Sequence, residues 1–264
     1  MRKTNYHTHT ERCMHAYGSD EDYVKAAIQA GYEELGFSDH SPWKYDSDFV
    51  AYMRMRLDQF DDYYQSIKHL QEEYKDQISI KIGLECEYYE RYMDWLQDFC
   101  NQYHLDYIIL GNHFYQTDEN RIYFGRYCAQ DEYLEYYVQD IIKAMETGLY
   151  AYVCHPDLFM RGRTSFGKLE EEASYRICEA AKRLDLALEY NLAGLEYNER
   201  DHVEHYPHRE FWKIAAKVGN KAIIGVDAHD PAALKTDYYR EKAIAALTNL
   251  QIPIIDTIDF KKFK

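Results

Sequence analysis

The feature that most constrains this chain is an alternation of short apolar runs with longer amphipathic stretches, which continues from end to end. Such alternation predicts βα units around a parallel sheet. We expect strands at residues 4–6, 34–37, 78–84, 107–110, 152–153, 187–190 and 222–225. Seven βα units predict an α/β fold, specifically a seven-stranded TIM-like (β/α)7 barrel. A chain of 264 residues is long enough to form such a barrel, so we expect a single domain at residues 1–264.

Helix signals fall between these strands. Ser19 and Asp22 form a capping box at the start of the first helix, and Gly31 can end it. Further helices are predicted at about 58–74, 91–101, 131–147, 169–183, 208–218 and 238–250, with Gly148 and Gly219 as plausible ends.

Charge and cysteine usage exclude several classes of protein. The formal net charge of −15 opposes binding to a nucleic acid polymer, and the only basic cluster is the tail Lys261-Lys262-Phe263-Lys264. Six widely spaced cysteines without a CxxC pair indicate reduced thiols and a cytoplasmic protein. No apolar run approaches the roughly 20 residues that span a bilayer, so we expect no membrane partner.

Six of the seven predicted strands run into a histidine or a carboxylate. The segments are His7-Thr-His9, Ser38-Asp39-His40, Gly83-Leu84-Glu85, Gly111-Asn112-His113, Cys154-His155-Pro156-Asp157 and Gly225-Val226-Asp227-Ala228-His229. Because the carboxyl ends of parallel strands meet at one rim of a barrel, these side chains are expected to converge there. The sequence therefore predicts a metal cluster.

Side-chain alternation refines the set of candidate ligands. In an extended segment His7 and His9 point to the same face, and Asp227 and His229 repeat that spacing. His15, just before the first helix, can join them. Each pair can therefore hold one ion.

The same alternation leaves one alternative open on the third strand. If Glu85 points inward, Cys86 points outward and Glu87 points inward again, so Glu87 is a rival ligand. Cys13 and Cys154 lie near supposed ligands, but a small buried hydrophobe is the expected role of each.

Five histidines fall outside this pattern. His69 and His104 lie in polar stretches and are expected to be solvated. The group His202, His205 and His208 is interrupted by Tyr206-Pro207 and is interpreted as a loop near the site. Whether this loop touches the substrate stays open.

The ordered set of motifs resembles the polymerase and histidinol phosphatase (PHP) family over nearly the whole chain. Within that family the chain is most similar to monofunctional histidinol-phosphate phosphatases, on the blocks Ala51-Tyr-Met-Arg-Met-Arg-Leu-Asp-Gln-Phe and Glu189-Tyr-Asn-Leu-Ala-Gly-Leu195. The resemblance implies a distorted seven-stranded barrel with three divalent metal ions. It also implies three ligand groups: His7, His9, Glu85 and Asp227; Glu85, His113 and His155; and His15, His40 and His229.

The resemblance also implies substrate contacts. Arg161 matches a phosphate-binding arginine of the family, and Asn191 belongs to a block associated with substrate. Many relatives have a second arginine where this chain has Glu196, and Arg200 is a possible substitute. An acidic Glu196 would suit the amine of histidinol phosphate.

The implied chemistry is hydrolysis of a phosphomonoester by a metal-bridging hydroxide. Metal ions lower the pKa of bound water and offset phosphate charge, which lets an acidic protein bind an anion. Asp227 is a candidate general acid, and Asp39 and Asp157 adjoin ligating histidines whose rings they could orient. Imidazole and carboxylate ligands suit zinc, manganese or iron alike.

The most favoured function is hydrolysis of L-histidinol phosphate to L-histidinol and phosphate, a late step of histidine biosynthesis. Two alternatives remain. One keeps the chemistry with another small substrate, such as a nucleotide, a sugar phosphate or phosphotyrosine. The other is a metal-binding protein without turnover, against which the complete ligand set and Arg161 both argue.

Overall fold

The computed structural model describes residues 1–260 and residue 263, so the predicted basic tail lies outside it except for Phe263. Eight parallel strands form one curled sheet in which neighbours follow chain order. The strands are β1 (Thr4–Asn5), β2 (Glu34–Phe37), β3 (Ser79–Cys86), β4 (Tyr107–Leu110), β5 (Tyr152–Val153), β6 (Ala187–Asn191), β7 (Ala222–Gly225) and β8 (Ile254–Ile255).

Helices cover the outer face of this sheet. Those within residues 1–260 are α1 (Asp20–Gln29), α2 (Phe60–Glu73), α3 (Met93–Gln102), α4 (Phe124–Tyr127), α5 (Asp131–Glu146), α6 (Lys168–Arg183), α7 (Leu192–Asp201), α8 (Arg209–Val218), α9 (Ala232–Lys235) and α10 (Tyr238–Asn249). Of these, α4, α7 and α9 were not predicted. No helix among the described residues is long and apolar enough to cross a membrane.

The predicted strand count of seven is wrong, because β8 adds an eighth strand. It has only two residues and follows Pro253, so it carries too little pattern to be recognised. At the amino end of the sheet β8 pairs with β7, and the backbone N–H of Arg2 donates to Asp256 just after it. At the carboxyl end, Thr8 and Ala228 form a direct parallel bridge. The curl is therefore wider at its amino end.

Local signals set the predicted helix ends. The Ser19 hydroxyl accepts from the Asp22 backbone N–H at 3.2 Å, and Asp22 accepts from Ser19, which is the predicted capping box. Gly219 ends α8 with φ of +83°, a conformation that glycine adopts without strain.

The inside of the curl is filled below its carboxyl end. Tyr6, Tyr107 and Tyr152 are buried there, and the Tyr107 hydroxyl donates to the carbonyl oxygen of Tyr6 at 2.8 Å. A larger cluster of buried side chains packs the helices onto the outside of the sheet. All six cysteines are free and buried, in agreement with the predicted reduced thiols. These tyrosines fill the interior of the curl on the amino side of the site and leave its carboxyl end open.

Candidate metal centre

All nine predicted ligands lie at the carboxyl end of the sheet. His7 and His9 follow β1, and Asp227 and His229 follow β7, whose extensions meet at the Thr8–Ala228 bridge. The remaining five come from the ends of β2 to β5 and from the segment before α1: His40, Glu85, His113, His155 and His15. Ring centroids of neighbouring histidines lie between 4.0 and 6.4 Å apart.

Glu85 is the buried centre of this cluster. Its Oε1 lies 2.9 Å from His155 Nε2 and 3.4 Å from His113 Nε2. Its Oε2 faces a second set of ring nitrogens: His40 Nδ1 at 3.0 Å, His7 Nε2 at 3.5 Å and His9 Nε2 at 3.6 Å. Each oxygen therefore faces different histidines, an arrangement that suits a carboxylate bridging two ions.

Asp227 approaches two of the same ring nitrogens as Glu85, those of His7 and His9. Its Oδ1 is 3.1 Å from His9 Nε2, 3.4 Å from His7 Nε2 and 3.5 Å from His229 Nδ1. Burial opposes ionisation here, but His7, His9 and His229 outweigh it and hold the pKa of Asp227 well below its ordinary value. Asp227 is therefore a carboxylate, the form that binds cations.

Two residues of the cluster adopt a backbone conformation that is unfavourable for side chains other than glycine. The φ angle is +55° at Asp227 and +26° at His155. Such strain persists where surrounding contacts fix it, and it concentrates at functional sites. The backbone N–H of His155 donates to Glu189 Oε2 at 3.1 Å, which is one such contact.

The environment of the histidine ring nitrogens is a separate observation, and it indicates that they suit divalent metal ions. Among the described residues, the buried His7 Nε2 and His9 Nε2 make no hydrogen bond of good geometry, although oxygens of Glu85 and Asp227 lie 3.1 to 3.6 Å away. His15 Nε2 lies 3.0 Å from His229 Nε2. Burial lowers the pKa of His40 and of His229 to about 3, so both rings are neutral at pH 7, whereas Asp227 and Asp39 overcome the burial of His9 and raise its pKa to about 9, so a metal ion would displace a proton there. Buried, unpartnered nitrogens are costly unless a ligand satisfies them.

Several ligand groupings are geometrically possible. Sets whose donor atoms lie within 4.8 Å of one another include His7, His9 and Asp227; His7, Glu85 and His155; and His9, His40 and His229. Others include a thiol: Cys13, His15 and His229; and His7, Cys154 and Glu189. Burial raises the pKa of the Cys13 and Cys154 thiols, which disfavours thiolate ligands. The exact division into three groups stays a prediction.

Glu189 is a buried partner of the cluster that the sequence analysis missed. It lies on β6, and its Oε1 is 2.8 Å from His7 Nδ1. Its carboxylate fits because Gly225 has no side chain, since a Cβ there would overlap Glu189. The sequence signal that could have identified Glu189 is the presence of a glutamate inside an otherwise apolar strand. Its position directs the other ring nitrogen of His7 into the cluster.

Asp39 and Glu87 occupy comparable positions. Asp39 Oδ1 lies 3.4 Å from His9 Nδ1, so Asp39 contacts the ring of His9 and not that of the adjoining His40. With His40 its contact is to the backbone, whose N–H donates to Asp39 Oδ1. Glu87 Oε1 lies 3.0 Å from His113 Nδ1. Glu87, considered above as a rival ligand, therefore contacts the ring of the candidate ligand His113 from the side away from Glu85.

The predicted role of Asp157 in orienting His155 does not agree with the structure. Asp157 Oδ2 accepts the backbone N–H of His208 at 2.6 Å, and burial raises the pKa of Asp157 to about 7. The side chain turns towards the start of α8 because that amide needs an acceptor. Asp157 therefore ties two loops together.

Arginines and tyrosines line a cavity of about 630 Å³ above the cluster. Arg161 donates to the Tyr123 hydroxyl at 3.1 Å and lies over the Tyr197 ring at 5.1 Å. Arg200 lines the same cavity, and its guanidinium lies over the Tyr197 ring at 5.4 Å and pairs with Asp201. Two further basic residues, Arg121 and Arg126, also line this cavity.

Glu196 lines a different cavity of about 290 Å³, which shares His15, Ala193, Asp227 and His229 with the first. Helix α7 contributes residues to both cavities. Its turn at Ala193 faces both cavities, and Glu196 faces only the smaller one. Glu196 and Arg200 lie one turn apart on the same face of α7, so that face contributes an acidic side chain to the smaller cavity and a basic one to the larger.

The predicted contact between Asn191 and substrate is not supported. Asn191 is buried, and its Oδ1 caps α7 by accepting the Gly194 backbone N–H at 2.8 Å. Its Nδ2 donates to Glu189 at 2.9 Å and to Asp227 at 3.1 Å. Every polar atom of this side chain is hydrogen-bonded, and its contact with the cluster is to the candidate ligand Asp227.

The loop histidines have structural contacts among the described residues. His208 caps α8 and stacks on Phe166, and His205 stacks on Tyr197. His202 ends α7 in the left-handed conformation. None of the three is among the residues that line the two cavities.

Comparisons with known proteins find relatives in sequence and in fold. A protein named "Probable histidinol-phosphatase" from Deinococcus radiodurans is 29% identical over 235 residues, which cover 85% of each chain. The histidinol-phosphatase of Bacillus subtilis is 32% identical over 128 residues, 46% of this chain and 47% of that one. A crystal structure of the histidinol phosphate phosphatase of Lactococcus lactis, complexed with Zn, L-histidinol and phosphate, shares the fold with a TM-score of 0.74. It is 21% identical and covers 99% of both chains.

The PHP domain model matches residues 5–199. This range includes seven of the nine candidate ligands, and Asp227 and His229 follow it. Because the match spans well over half of the sequence, this chain belongs to the PHP domain family.

Proposed function

We propose that this protein is a metal-dependent phosphatase that hydrolyses L-histidinol phosphate to L-histidinol and phosphate. The observation that carries the proposal is a buried cluster of imidazoles around Glu85, with unpartnered ring nitrogens, beneath an arginine-lined cavity. The similarity to a named histidinol-phosphatase along 85% of the chain supports this substrate. The activity would serve histidine biosynthesis.

We further propose that the cluster holds three divalent ions, with zinc, manganese and iron as candidates. Bound ions would activate a water molecule as nucleophile and offset the charge that develops on the phosphoryl oxygens. The protein's own contribution is to hold the imidazoles with their lone pairs inward, through Glu189, Asp39 and Glu87.

Arg161 and Arg200 would receive the phosphate oxygens that point away from the cluster. Both line the larger cavity, and a guanidinium offers the paired donors that phosphate favours. The two tyrosines beside Arg161 fix its plane. During hydrolysis the oxygen of a water molecule bonds to phosphorus as the ester P–O bond breaks, and the departing alkoxide takes up a proton from water. Asp227, whose pKa is held well below its ordinary value, is ionised and does not suit the candidate role of general acid.

The amine and imidazole of the substrate would lie towards Glu196. The smaller cavity adjoins the cluster at His15 and His229 and is lined by Glu196 and Asp230, which favours a cation. The anionic end of histidinol phosphate would then lie in the larger cavity and its cationic end in the adjoining smaller one.

The decisive test is a substrate panel with protein reconstituted in manganese or zinc. We expect kcat/KM for histidinol phosphate to exceed that for nucleotide, sugar and phosphotyrosine esters by at least about 100-fold, the discrimination that about 2.7 kcal/mol provides. Equal rates would refute the substrate assignment. Elemental analysis that finds fewer than two ions per chain would refute the mechanism.

Glu196→Gln tests the orientation of the substrate. It should raise KM for histidinol phosphate and leave that for p-nitrophenyl phosphate, which has no amine, unchanged. Glu199→Gln is the matched control, because Glu199 lies on the same helix, pairs with Lys242 and lines neither cavity. A rise for both esters would contradict the proposed orientation.

A further inference from the structure

Arg54 is a buried guanidinium that binds carboxylates from two separate parts of the chain. Its Nη2 lies 2.7 Å from Glu87 Oε1, its Nη1 lies 3.1 Å from Glu87 Oε2, and its Nε lies 2.8 Å from Asp118 Oδ2. Nη1 also donates to the carbonyl oxygen of Ser41 at 3.1 Å. Only 1% of Arg54 is exposed. A buried charge requires such partners, so the geometry of this group is strongly determined.

Glu87 connects this group to the candidate metal centre. Its Oε1 accepts from both Arg54 and His113 Nδ1, at 2.7 and 3.0 Å. Its Oε2 also accepts from Trp43 Nε1 at 2.9 Å, so both oxygens are fixed. On the other side of the ring, His113 Nε2 lies 3.4 Å from Glu85 Oε1. A continuous series of contacts therefore joins Arg54 to the centre of the cluster.

Arg54 also connects the cluster to a long segment that covers it. Residues 41–56 lie between β2 and α2 and contain no helix or strand. Tyr45 in this segment donates to both oxygens of Asp118, at 2.7 and 2.8 Å. Tyr52 and Met53, next to Arg54, line the larger cavity. The residue that fixes Glu87 is therefore the same one that fixes this segment over the cavity.

We propose that Arg54 is a positioning residue, which acts through Glu87 to hold the His113 ring and ties residues 41–56 over the same histidine. A carboxylate at Nδ1 keeps the proton on that nitrogen and leaves the Nε2 lone pair facing the cluster. The guanidinium fork holds the Glu87 plane that makes this contact, and it separates two carboxylates that would otherwise repel each other. The inference rests on the proposed metal centre.

The first test measures metal binding, independently of turnover. We expect Arg54→Met to weaken binding of one ion by about 10- to 100-fold, the usual effect of removing a partner that orients a ligand histidine. Competition with a fluorescent chelator and elemental analysis of dialysed protein provide the readouts. Arg54→Lys keeps the charge but lacks the fork, so it should recover only part of the affinity.

Two comparisons separate positioning from general loosening of the fold. Tyr45→Phe removes the hydroxyl bonded to Asp118 but leaves the Arg54–Glu87 contact, so it should lower the thermal midpoint and retain metal affinity. Glu87→Gln should reproduce the loss seen for Arg54→Met. Because Arg54 acts through Glu87, the double variant should bind metal about as well as Glu87→Gln alone.

Several results would overturn the inference. One is an Arg54→Met protein that folds and binds metal within twofold of the wild type, or more tightly. Fully additive losses in the double variant are another. If Arg54→Met does not fold, unchanged affinity in Arg54→Lys and Glu87→Gln overturns it equally. If the wild-type protein retains no ions, the proposed function is refuted as well. If the wild-type protein binds metal and the variants lose no metal affinity, only the role of Arg54 is refuted.

Discussion

Replacing Glu189 by glutamine should disable the centre by reversing the tautomer of His7. In the native protein, Glu189 Oε1 accepts from His7 Nδ1 at 2.8 Å. Oε2 accepts from two donors, the backbone N–H of His155 at 3.1 Å and Asn191 Nδ2 at 2.9 Å. A carboxamide has one oxygen, which the two donors on the Oε2 side would hold. Its NH2 group would then face His7 Nδ1.

The consequence for His7 follows from its two ring nitrogens. A donor facing Nδ1 requires that nitrogen to accept, so the proton moves to Nε2. Nε2 is the atom that lies 3.4 Å from Asp227 Oδ1 and 3.5 Å from Glu85 Oε2, inside the cluster. A protonated Nε2 cannot bind a metal ion. We therefore expect a loss near the upper end of the 10- to 100-fold range for such partners, about 2.7 kcal/mol.

The assay compares metal affinity, kcat and thermal unfolding with and without metal. Glu34→Gln is the matched control, since Glu34 is also a buried glutamate on a strand but binds Tyr6 at the other end of the sheet. In metal-free protein, the Glu189→Gln midpoint should change by only about 2–4 °C, as for a change near 1 kcal/mol in a chain of this size. Metal affinity and kcat within twofold of the wild type would refute the reasoning.

Three further predictions concern single substitutions. Asp227→Asn should lower kcat by about 100-fold or more with unchanged circular dichroism, because a neutral amide beside His9 and His7 no longer attracts a cation; retained activity would contradict its place in the centre. Arg161→Lys should raise KM and the inhibition constant of phosphate by about tenfold in steady-state assays, because an ammonium lacks the paired donors of guanidinium; an unchanged constant would remove Arg161 from the phosphate site. Asp140→Asn should raise the free energy of unfolding at pH 8 by about 1–2 kcal/mol in urea titrations, discounted for partial exposure. Burial raises the pKa of Asp140 from 3.8 to about 7, so its ionisation lowers stability as pH rises through that interval, and the gain should shrink towards pH 5; a pH-independent gain would contradict this cause.

The strands and the place of the site were readable from the sequence because both follow from local pattern. All seven predicted strands exist, since buried parallel strands are continuous apolar runs with clear ends. Because parallel strands end at one edge, residues such as His7, Glu85 and His155 lie together although they are far apart in the chain. The positions of these residues at the ends of predicted strands were enough to predict that they converge.

Contacts behind the cluster were not readable, because they depend on which side chains face each other across the curl. Glu189 approaches His7 over a separation of 182 residues. Asp157 adjoins His155 in sequence, yet it binds the His208 amide, 51 residues further on. Adjacency therefore predicted the wrong partner for Asp157, and no local signal connected Glu189 to His7.

The substrate question depended on helix α7, which the sequence analysis did not predict. Gly194 weakens the helical signal, and the cap at Asn191 was read as part of a substrate block. Without a helix, Glu196 seemed to replace a phosphate-binding arginine. With it, Glu196 and Arg200 lie one turn apart on the same helix face, where Arg200 lines the larger cavity and Glu196 the adjoining smaller one. The departure at Glu196 is compatible with the proposed phosphate site, because Arg200, one turn further along the same helix face, lines the cavity that also contains Arg161.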